Sequence, residues 1–381
     1  MKKEAFILWW TSKHEDLIEI TADGCDKIVY NKQSIIDSIK KLKQISSIDR
    51  LFYAMKANYN PSILNLIYEN GVGFECVSPG EVRHLIKSIP NIDLNRIIFT
   101  PNFAPKTDYI FAIENNLNLT IDNLFPFEEW PNLFIDRDVS IRVDPGIGAG
   151  HHEHVVTGGN FSKFGIPVND IVKVSEYSKK YNINIKGLHS HNGSGIKDIS
   201  SWTNTANILL EIANKFPSIK TINLGGGIPI KEKLSEDDFD FNKFQDSLNK
   251  IKNDFLEYEL WLEPGRYIVG ESGVILSHVT QTKKKENYFY IGLGVGMNLL
   301  IRPPLYDAYH EIINLTKYKE KNEIIASIVG PICESGDKLG KDRYLPHTNE
   351  GDVMLIANAG AYVRSMSSNY NLRDMPKELL F

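Results

Sequence analysis

Short apolar segments recur along the first two thirds of the chain at nearly constant spacing. Five of them are LFYAM, GFECV, RIIFT, LNLTID and VSIRVD, which begin at residues 51, 73, 96, 117 and 139 and so lie 21 to 23 residues apart. This spacing is close to the length of one compact unit of strand, loop, helix and loop. Three more segments, IKGLHSH, TINLGGG and ELWLEPG, follow at wider spacing. The pattern predicts eight buried strands.

The segments between these strands carry helix signals. PSILNLIYEN begins with Pro61 and ends at Asn70-Gly71, as a helix with a C-terminal cap does. Eight alternating strands and helices favour an α/β fold with a (β/α)8 TIM barrel, because parallel strands need helical crossovers and eight of them can close on themselves. An open doubly wound sheet is the alternative, but the first strand-to-helix turn has no GxGxxG sequence.

The two chain ends follow a different pattern. Before about residue 30 and after about residue 270 the apolar runs predict strands without helices between them, as in SGVILSHVTQTKKKENYFYIGLG. We therefore predict two domains. Residues 31–270 would form the barrel, and residues 1–30 and 271–381 would form a second, mostly antiparallel β domain built from both chain ends.

Composition and charge exclude several other classes of protein. The 381 residues are 42% apolar, which is enough for a large core, and the net charge of −5 offers no basic surface for nucleic acid. The three cysteines lie far apart without zinc-site spacing, so neither a disulfide framework nor a metal site is expected. The apolar run at the N-terminus is too short for a signal sequence, and no segment approaches the length of a membrane span. We expect a soluble, cytoplasmic protein.

Chemically active residues follow the predicted strands at their carboxyl ends, which meet at one mouth in a TIM barrel. These residues are Lys56, Glu75, Ser78, Arg142, Asp144, His189, His191, Ser194 between two glycines, Gly225 to Gly227, Glu263, Gly265 and Arg266. Each has a simpler explanation when taken alone, such as a solvated strand end or a plain turn. Together they match pyridoxal 5'-phosphate, which needs a lysine amine for a Schiff base, backbone N–H groups for its phosphate and an acid at its pyridine nitrogen.

Eight motifs extend this match in order from about residue 50 to the C-terminus. They are FYAMKANYNP, GFECVSPGE, TGGNFSKFGI, HSHNGSG, NLGGGIP, EPGRYIV, GPICESGD and GAYVRSMSSNYN. In these motifs the chain resembles the fold-type III pyridoxal-phosphate decarboxylases, and within them the diaminopimelate decarboxylase family. Asn192 and Gly195 depart from the pattern, since the family more often has an aliphatic residue and a glutamine there.

The resemblance implies catalytic and cofactor-binding roles for the matching residues. Lys56 would carry the cofactor, His191 would stack on its ring, Glu263 would hold the pyridine nitrogen, and Cys333 would return the proton that replaces CO2. The phosphate would lie among Ser194, Gly226, Gly227, Gly265, Arg266 and Tyr362.

The resemblance also implies how a substrate with an amino acid group at each end would be recognised. Its distal carboxylate would bind Arg302, Tyr306 and Arg266, with Tyr362 beside them, because a guanidinium can hold a carboxylate at two points. Glu334 would receive the distal ammonium group. In this family the counterparts of Cys333, Glu334 and Tyr362 come from the neighbouring subunit, which implies a homodimer with composite active sites.

The reaction implied by the resemblance is decarboxylation of meso-2,6-diaminopimelate at its D centre to L-lysine and CO2, the last step of lysine biosynthesis. Two alternatives stay open: a decarboxylase of a related amino acid, such as a D-amino acid or a conjugated diamino acid, and a non-catalytic regulatory homologue. Lys56, Glu263 and Cys333 argue against the second alternative, since a homologue without activity would be free to lose them.

Overall fold

The computed structural model of the protein describes residues 8–146, 162–233 and 235–381. Within them the chain forms two compact units. One takes its described residues from Met1–Ile35, Lys231–Asp237 and Val269–Phe381, and the other takes them from Ile36–Ile230 and Asp238–Ile268. We call them the chain-end unit and the barrel unit. Residues 157–161 of the motif TGGNFSKFGI lie outside the described residues.

The first described elements are two short helices and a strand, α1 (Trp9–Ser12), α2 (His14–Ile20) and β1 (Lys27–Tyr30). The prediction of strands alone before residue 30 was therefore wrong for α1 and α2. The sequence of α2 explains the helix, because Glu15 and Asp16 lie in its first turn, where negative charge favours the helix dipole, and Leu17 is buried.

Strands and helices then alternate from residue 32 to residue 269. They are α3 (Lys32–Lys43), β2 (Arg50–Ala54), α4 (Pro61–Glu69), β3 (Gly73–Cys76), α5 (Pro79–Ser88), β4 (Ile97–Phe99), α6 (Lys106–Glu114), β5 (Asn118–Ile121), α7 (Phe125–Glu129), β6 (Asp138–Asp144), β7 (Ile166–Pro167), α8 (Ile171–Lys180), β8 (Asn184–His189), α9 (Ser200–Ala213), β9 (Thr221–Asn223), α10 (Phe241–Asp254), β10 (Glu259–Leu262) and α11 (Arg266–Val269).

Eight of these strands close into a parallel barrel in the order β2, β3, β4, β5, β6, β8, β9 and β10. Closure comes from the pairing of β10 with β2, where Leu262 lies opposite Leu51, and the two-residue strand β7 adds to β6 outside the ring. The predicted TIM barrel is confirmed. All eight predicted strands are present, because buried parallel strands give continuous apolar runs that stand out in the sequence.

Local sequence signals set the ends of the helices that follow the strands. Asn60 caps α4 by accepting a hydrogen bond from the Ser62 N–H, and Ser78 caps α5 by accepting one from the Glu81 N–H at 3.2 Å. Each of these helices then has proline at its first position. Among the described residues, none of the helices combines the length and the apolar character that a membrane crossing needs.

The remaining elements are β11 (Gly273–Lys285), β12 (Tyr288–Leu293), α12 (Arg302–Tyr306), β13 (Ile312–Asn314), β14 (Ile324–Val329), β15 (Lys338–Leu345), β16 (Val353–Ile356) and β17 (Lys377–Leu380). These strands and β1 form one eight-stranded sheet in the order β13-β16-β11-β12-β14-β15, with β1 joining β11 and β17. The pairs β12–β14 and β1–β17 are parallel, and the other five are antiparallel. The prediction of a mostly antiparallel sheet from both chain ends is confirmed.

Strands from the two ends of the chain lie side by side in this sheet. Tyr30 pairs with Leu380, and the Phe381 N–H donates to the Tyr30 carbonyl at 2.7 Å. Val29 belongs to the same buried cluster as Val274 and Leu276 of β11. The chain-end unit therefore has a hydrophobic core of its own.

Candidate active site

Lys56 lies in the 3-10 turn that directly follows β2, at the carboxyl end of the barrel. Its Nζ is 3.0 Å from Oε2 of Glu75, which belongs to the neighbouring strand β3. The side chain of Lys56 is 43% exposed, whereas that of Glu75 is 2% exposed. The mouth of the barrel thus presents a lysine amine that is held against a buried carboxylate.

Glu263 follows β10 and is buried beside two polar side chains. Its Oε1 accepts a hydrogen bond of 2.7 Å from Asn223 Nδ2, and its Oε2 lies 3.3 Å from His189 Nε2. Burial raises the pKa of Glu263, but His189, Lys56 and the hydrogen bond from Asn223 outweigh it and lower this pKa below its ordinary value. The barrel therefore holds an ionised carboxylate beneath its mouth.

His191 follows β8 and is a neutral ring. Its Nδ1 accepts a hydrogen bond of 3.2 Å from the Gly226 N–H, so the ring proton lies on Nε2. Burial, together with the positive charges of Arg142 and Lys56, lowers the pKa of His191 well below its ordinary value. The imidazole therefore offers an uncharged flat surface next to the glycine turn.

The turns that follow β8, β9 and β10 pack closely against one another through their backbones. Gly225 and Gly227 have φ of +64° and +100°, and a Cβ at Gly227 would lie 2.8 Å from the Gly193 carbonyl oxygen. In the third turn, Arg266 Nη2 donates to Ser194 Oγ at 3.1 Å. The structure thus brings Ser194 and Arg266 into contact, and it packs Gly226 against the Glu263 carbonyl and Gly227 against the Gly193 carbonyl.

Two buried polar side chains of this site were not among the residues predicted from the sequence. One is Asn223 of the segment TINLGGG, whose side-chain amide donates to Glu263. Asp122, directly after β5, is 2% exposed and accepts a hydrogen bond from Asn102. Burial raises the pKa of Asp122. The available signal for Asp122 was a charged residue directly after an apolar run, the same signal that marked Lys56 and Glu263.

The buried guanidinium of Arg142 faces these acidic groups within the barrel. Arg142 belongs to β6 and stacks on the ring of Phe164, with Cζ 4.4 Å from the ring centroid. Burial lowers the pKa of Arg142, whereas Asp122, Glu263 and Glu75 act in the opposite direction. The interior beneath the mouth is thus a mixed-charge layer rather than a purely apolar core.

Arg302 lies in the chain-end unit, where it begins α12. It is 2% exposed, and its Nη1 is 2.9 Å from Nε2 of His310, whose Nδ1 donates to the Ala357 carbonyl at 2.8 Å. His310 Nε2 is therefore the acceptor for Arg302. Oε1 of Glu232 lies 3.8 Å from Arg302 Nη2. Tyr306 ends the same short helix and is half-buried.

Cys333 and Glu334 are exposed in the turn between β14 and β15 of the same unit. The Cys333 N–H donates to Asn371 Oδ1 at 2.7 Å. The carboxylate of Asp337 holds the start of the turn, because it accepts a hydrogen bond of 2.8 Å from the Ile332 N–H. Tyr362 is half-buried, and its φ of +60° is rare for a residue with a side chain.

The residues of the barrel unit fit pyridoxal 5'-phosphate. Lys56 provides an amine, Glu263 an ionised acid for a ring nitrogen, and His191 a neutral surface for stacking. The three turns pack closely, and Arg266, which donates to Ser194, provides a cation of the kind that binds phosphate. A TIM barrel with this set of groups at its carboxyl end defines the class of pyridoxal-phosphate-dependent barrel enzymes.

Comparison with known proteins places the chain within this class. Residues 32–270 match the pyridoxal-binding domain of the pyridoxal-dependent decarboxylases. The diaminopimelate decarboxylase of Methanothermobacter thermautotrophicus is 33% identical over 96% of this chain and 89% of its own length. That of Campylobacter jejuni is 34% identical over 92% of this chain and 89% of its own length. The chain belongs to the diaminopimelate decarboxylase family.

Solved structures agree with this assignment. The crystal structure of diaminopimelate decarboxylase from Helicobacter pylori, complexed with L-lysine, superposes with a TM-score of 0.88 at 28% identity and covers 97% of this chain and 94% of its own. The protein is thus a pyridoxal-phosphate-dependent amino-acid decarboxylase, and the fold, the enzyme class and the cofactor predicted from the sequence are confirmed.

Proposed function

We propose that this protein decarboxylates meso-2,6-diaminopimelate at its D centre to give L-lysine and CO2, the last step of lysine biosynthesis. The relatives that support this proposal are diaminopimelate decarboxylases aligned over most of both chains. The observation that carries it is that Lys56 and Glu263 lie at the same end of the barrel. Lys56 is held by Glu75, and Glu263 is kept ionised by His189 and Asn223.

Bound pyridoxal phosphate would supply an electron sink for the electron pair that departing CO2 leaves behind. Lys56 would hold the aldehyde carbon of the cofactor until the substrate amine replaces it. Glu263 would keep a proton on the ring nitrogen, because an ionised carboxylate stabilises a positive charge next to it. His191 would support the ring from one face with its neutral imidazole.

Six residues would hold the phosphate, namely Ser194, Gly226, Gly227, Gly265, Arg266 and Tyr362. The hydrogen bond from Arg266 to Ser194 supports this role, because it joins two of the turns in question. A phosphate bound by three turns at once would be fixed in orientation, which is what a decarboxylase needs in order to align the bond that breaks.

The distal end of the substrate would be recognised by charged groups of opposite sign. Arg302, Tyr306 and Arg266 would bind its carboxylate, with Tyr362 beside them, and Glu334 would bind its ammonium group. The buried hydrogen bond between Arg302 and His310 supports this assignment, because it fixes the guanidinium before a substrate arrives. A substrate without the distal carboxylate, such as ornithine, would lack the two-point contact with this guanidinium and would bind more weakly.

The active assembly in this proposal is a homodimer in which the neighbouring subunit supplies Cys333, Glu334 and Tyr362 to each site. Cys333 would deliver the proton that replaces CO2. The exposure of Cys333 and Glu334 supports the proposal, because these side chains are accessible to a second molecule. The three cysteines of the chain are free thiols, in keeping with a proposed location in the reducing cytoplasm.

The test is CO2 release and lysine formation by the purified protein with pyridoxal phosphate. Meso-diaminopimelate, LL-diaminopimelate, D-lysine and L-ornithine would be compared at equal concentration. We expect turnover of the meso compound alone, loss of turnover in Lys56→Ala, and normal turnover in Lys87→Ala, since Lys87 is an exposed lysine of α5. Cofactor binding without turnover of meso-diaminopimelate contradicts the proposed substrate, and turnover of another compound in the set identifies the alternative.

A further inference from the structure

We propose that Asn192 and Trp202 are positioning residues that fix the two cofactor-binding turns after β8 and β9 against helix α9. The inference rests on the proposed function, in which His191 and the glycines of these turns hold the cofactor. It follows from hydrogen bonds that join Asn192 to Ser201, Trp202 to Gly226, and Gly226 to His191. Because Asn192 follows His191 and Trp202 follows Ser201 in the chain, these bonds close a ring, which we call the circuit.

The first part of the circuit is the side-chain amide of Asn192. This residue stands between His191 and Gly193 and is 5% exposed. Its Nδ2 lies 3.1 Å from both the carbonyl oxygen and Oγ of Ser201, and it also donates to Thr205 Oγ1. Because Ser201 and Thr205 belong to α9, one buried amide attaches the turn after β8 to the start of that helix.

The second part is the indole of Trp202, the next residue along α9. Its Nε1 donates to the Gly226 carbonyl at 3.2 Å, and the residue is 2% exposed. The ring lies edge-on to Phe244 and Phe239, with centroids 5.1 and 6.0 Å away. The donor is therefore held in place by packing, and the same helix also attaches the turn after β9.

The circuit closes at the peptide group of Gly226. Its carbonyl accepts from Trp202, while its N–H donates to His191 Nδ1 at 3.2 Å. The flanking Gly225 and Gly227 adopt positive φ without a side chain that would restrain them. Contacts from outside these turns must then select the one conformation in which His191 Nδ1 accepts a hydrogen bond from the Gly226 N–H and the ring proton lies on Nε2.

A purely structural role and a positioning role predict different results. Loss of a buried hydrogen bond would lower stability in either case. Only a positioning role also weakens cofactor binding. If the turns hold the binding conformation for a smaller fraction of the time, the apparent dissociation constant for the cofactor rises in proportion.

The experiment compares Asn192→Val, Trp202→Phe and the double variant with the wild type, all as full chains freed of cofactor. The dissociation constant for pyridoxal phosphate is measured by absorbance titration, and the thermal midpoint without cofactor is recorded alongside. Asn314→Val is the matched control, since Asn314 of β13 is also buried and its Nδ2 donates to Thr348 and Asp352. Trp202→Phe removes only the donor and keeps an aromatic ring, so it tests the circuit even if Asn192→Val does not fold.

We expect each single variant to bind pyridoxal phosphate about tenfold more weakly than the wild type. The double variant should be little weaker than either single one, because the circuit is already open after one break. Asn314→Val should lose thermal stability and keep the affinity of the wild type. The proposal is overturned if both single variants keep wild-type affinity, or if the double variant shows the product of two separate losses. A wild-type chain that fails to bind pyridoxal phosphate refutes the proposed function instead, so the two failures are distinguishable.

Discussion

Lys56 Nζ lies 3.0 Å from Glu75 Oε2, and the two side chains differ sharply in exposure, at 43% and 2%. Strands β2 and β3 place them together. Ala54 of β2 pairs with Glu75 of β3, and Lys56 lies two residues after Ala54 in the chain. A buried carboxylate is costly unless it is paired. The contact therefore holds the lysine amine at a fixed point on the barrel mouth.

Glu75→Gln should lower kcat for the decarboxylation while the protein remains folded. The variant keeps the shape of the side chain and removes the charge that holds Lys56, and a hydrogen bond to a charged group corresponds to about ten- to a hundredfold in rate. Steady-state kinetics measure the effect, with Glu69→Gln at the exposed end of α4 as the control. Equal kcat in Glu75→Gln and the wild type would show that the pair has no part in catalysis.

Asn223→Ala should move the acid side of the pH–activity profile to higher pH. The hydrogen bond from Asn223 lowers the pKa of Glu263, so its loss raises that pKa, and Glu263 then takes up a proton at a higher pH. A shift of about one pH unit corresponds to one such bond. The profile of kcat against pH checks this, and Asn118→Ala, at the amino end of β5, serves as the control. If the acid side of the profile does not move, protonation of Glu263 does not control activity.

Glu81→Gln should stabilise the protein more at pH 8 than at pH 5. Burial raises the pKa of Glu81 from 4.5 to about 7, with the hydrogen bond from the Val77 N–H acting in the opposite direction. Because the folded pKa is the higher one, the stabilisation is fully present below pH 4.5 and is lost as the pH rises through 7. Glutamine has no charge to bury, so its relative advantage should grow by about 2 to 3 kcal/mol from pH 5 to pH 8.

Thermal midpoints of wild type and Glu81→Gln at the two pH values measure this difference. Glu69→Gln is the matched control, because Glu69 is exposed and its replacement should give the same difference at both values. A Glu81→Gln difference that does not grow with pH would mean that Glu81 is already ionised at pH 5 in the folded protein.

Mixed dimers should recover activity from two inactive variants. Lys56→Ala and Cys333→Ala lie in different units of the chain, and in the proposed dimer each site takes Lys56 from one subunit and Cys333 from the other. Random mixing at equal amounts gives one intact site in half of the dimers, or about a quarter of wild-type activity. Lys56→Ala mixed with Glu263→Ala is the control that stays inactive, since both belong to the barrel unit. No recovery in the first mixture would contradict a composite site.

The barrel was predictable from sequence, whereas parts of its interior were not. Strands such as LFYAM and RIIFT are apolar throughout because they are buried on both faces, so their spacing alone revealed the fold. Lys56 and Glu263 stood out because a charged residue directly follows an apolar run. Asn223 did not, because an uncharged polar residue within a strand does not show which face it lies on until the barrel has closed.

The helices near the N-terminus were missed for a related reason. Residues 8–20 contain tryptophan and isoleucine, which favour strands, but they are also short of the turn residues that separate strands. Their helical form depends on tertiary packing, since Trp10 and Leu17 join the core formed by Val29 and Val274. A propensity scale does not contain that contact.

The pairing of β1 with β17 constrains the order in which this protein can fold. Lys27 lies beside Lys377, 350 residues later in the chain. Ribosomes add about 5 to 20 residues per second, so β17 is synthesised roughly 20 to 70 seconds after β1. The barrel strands lie between Arg50 and Leu262 and can pair during that interval. Strand β17 therefore joins the sheet only after all the barrel strands have been synthesised, and until then β1 presents an open edge to other nascent chains.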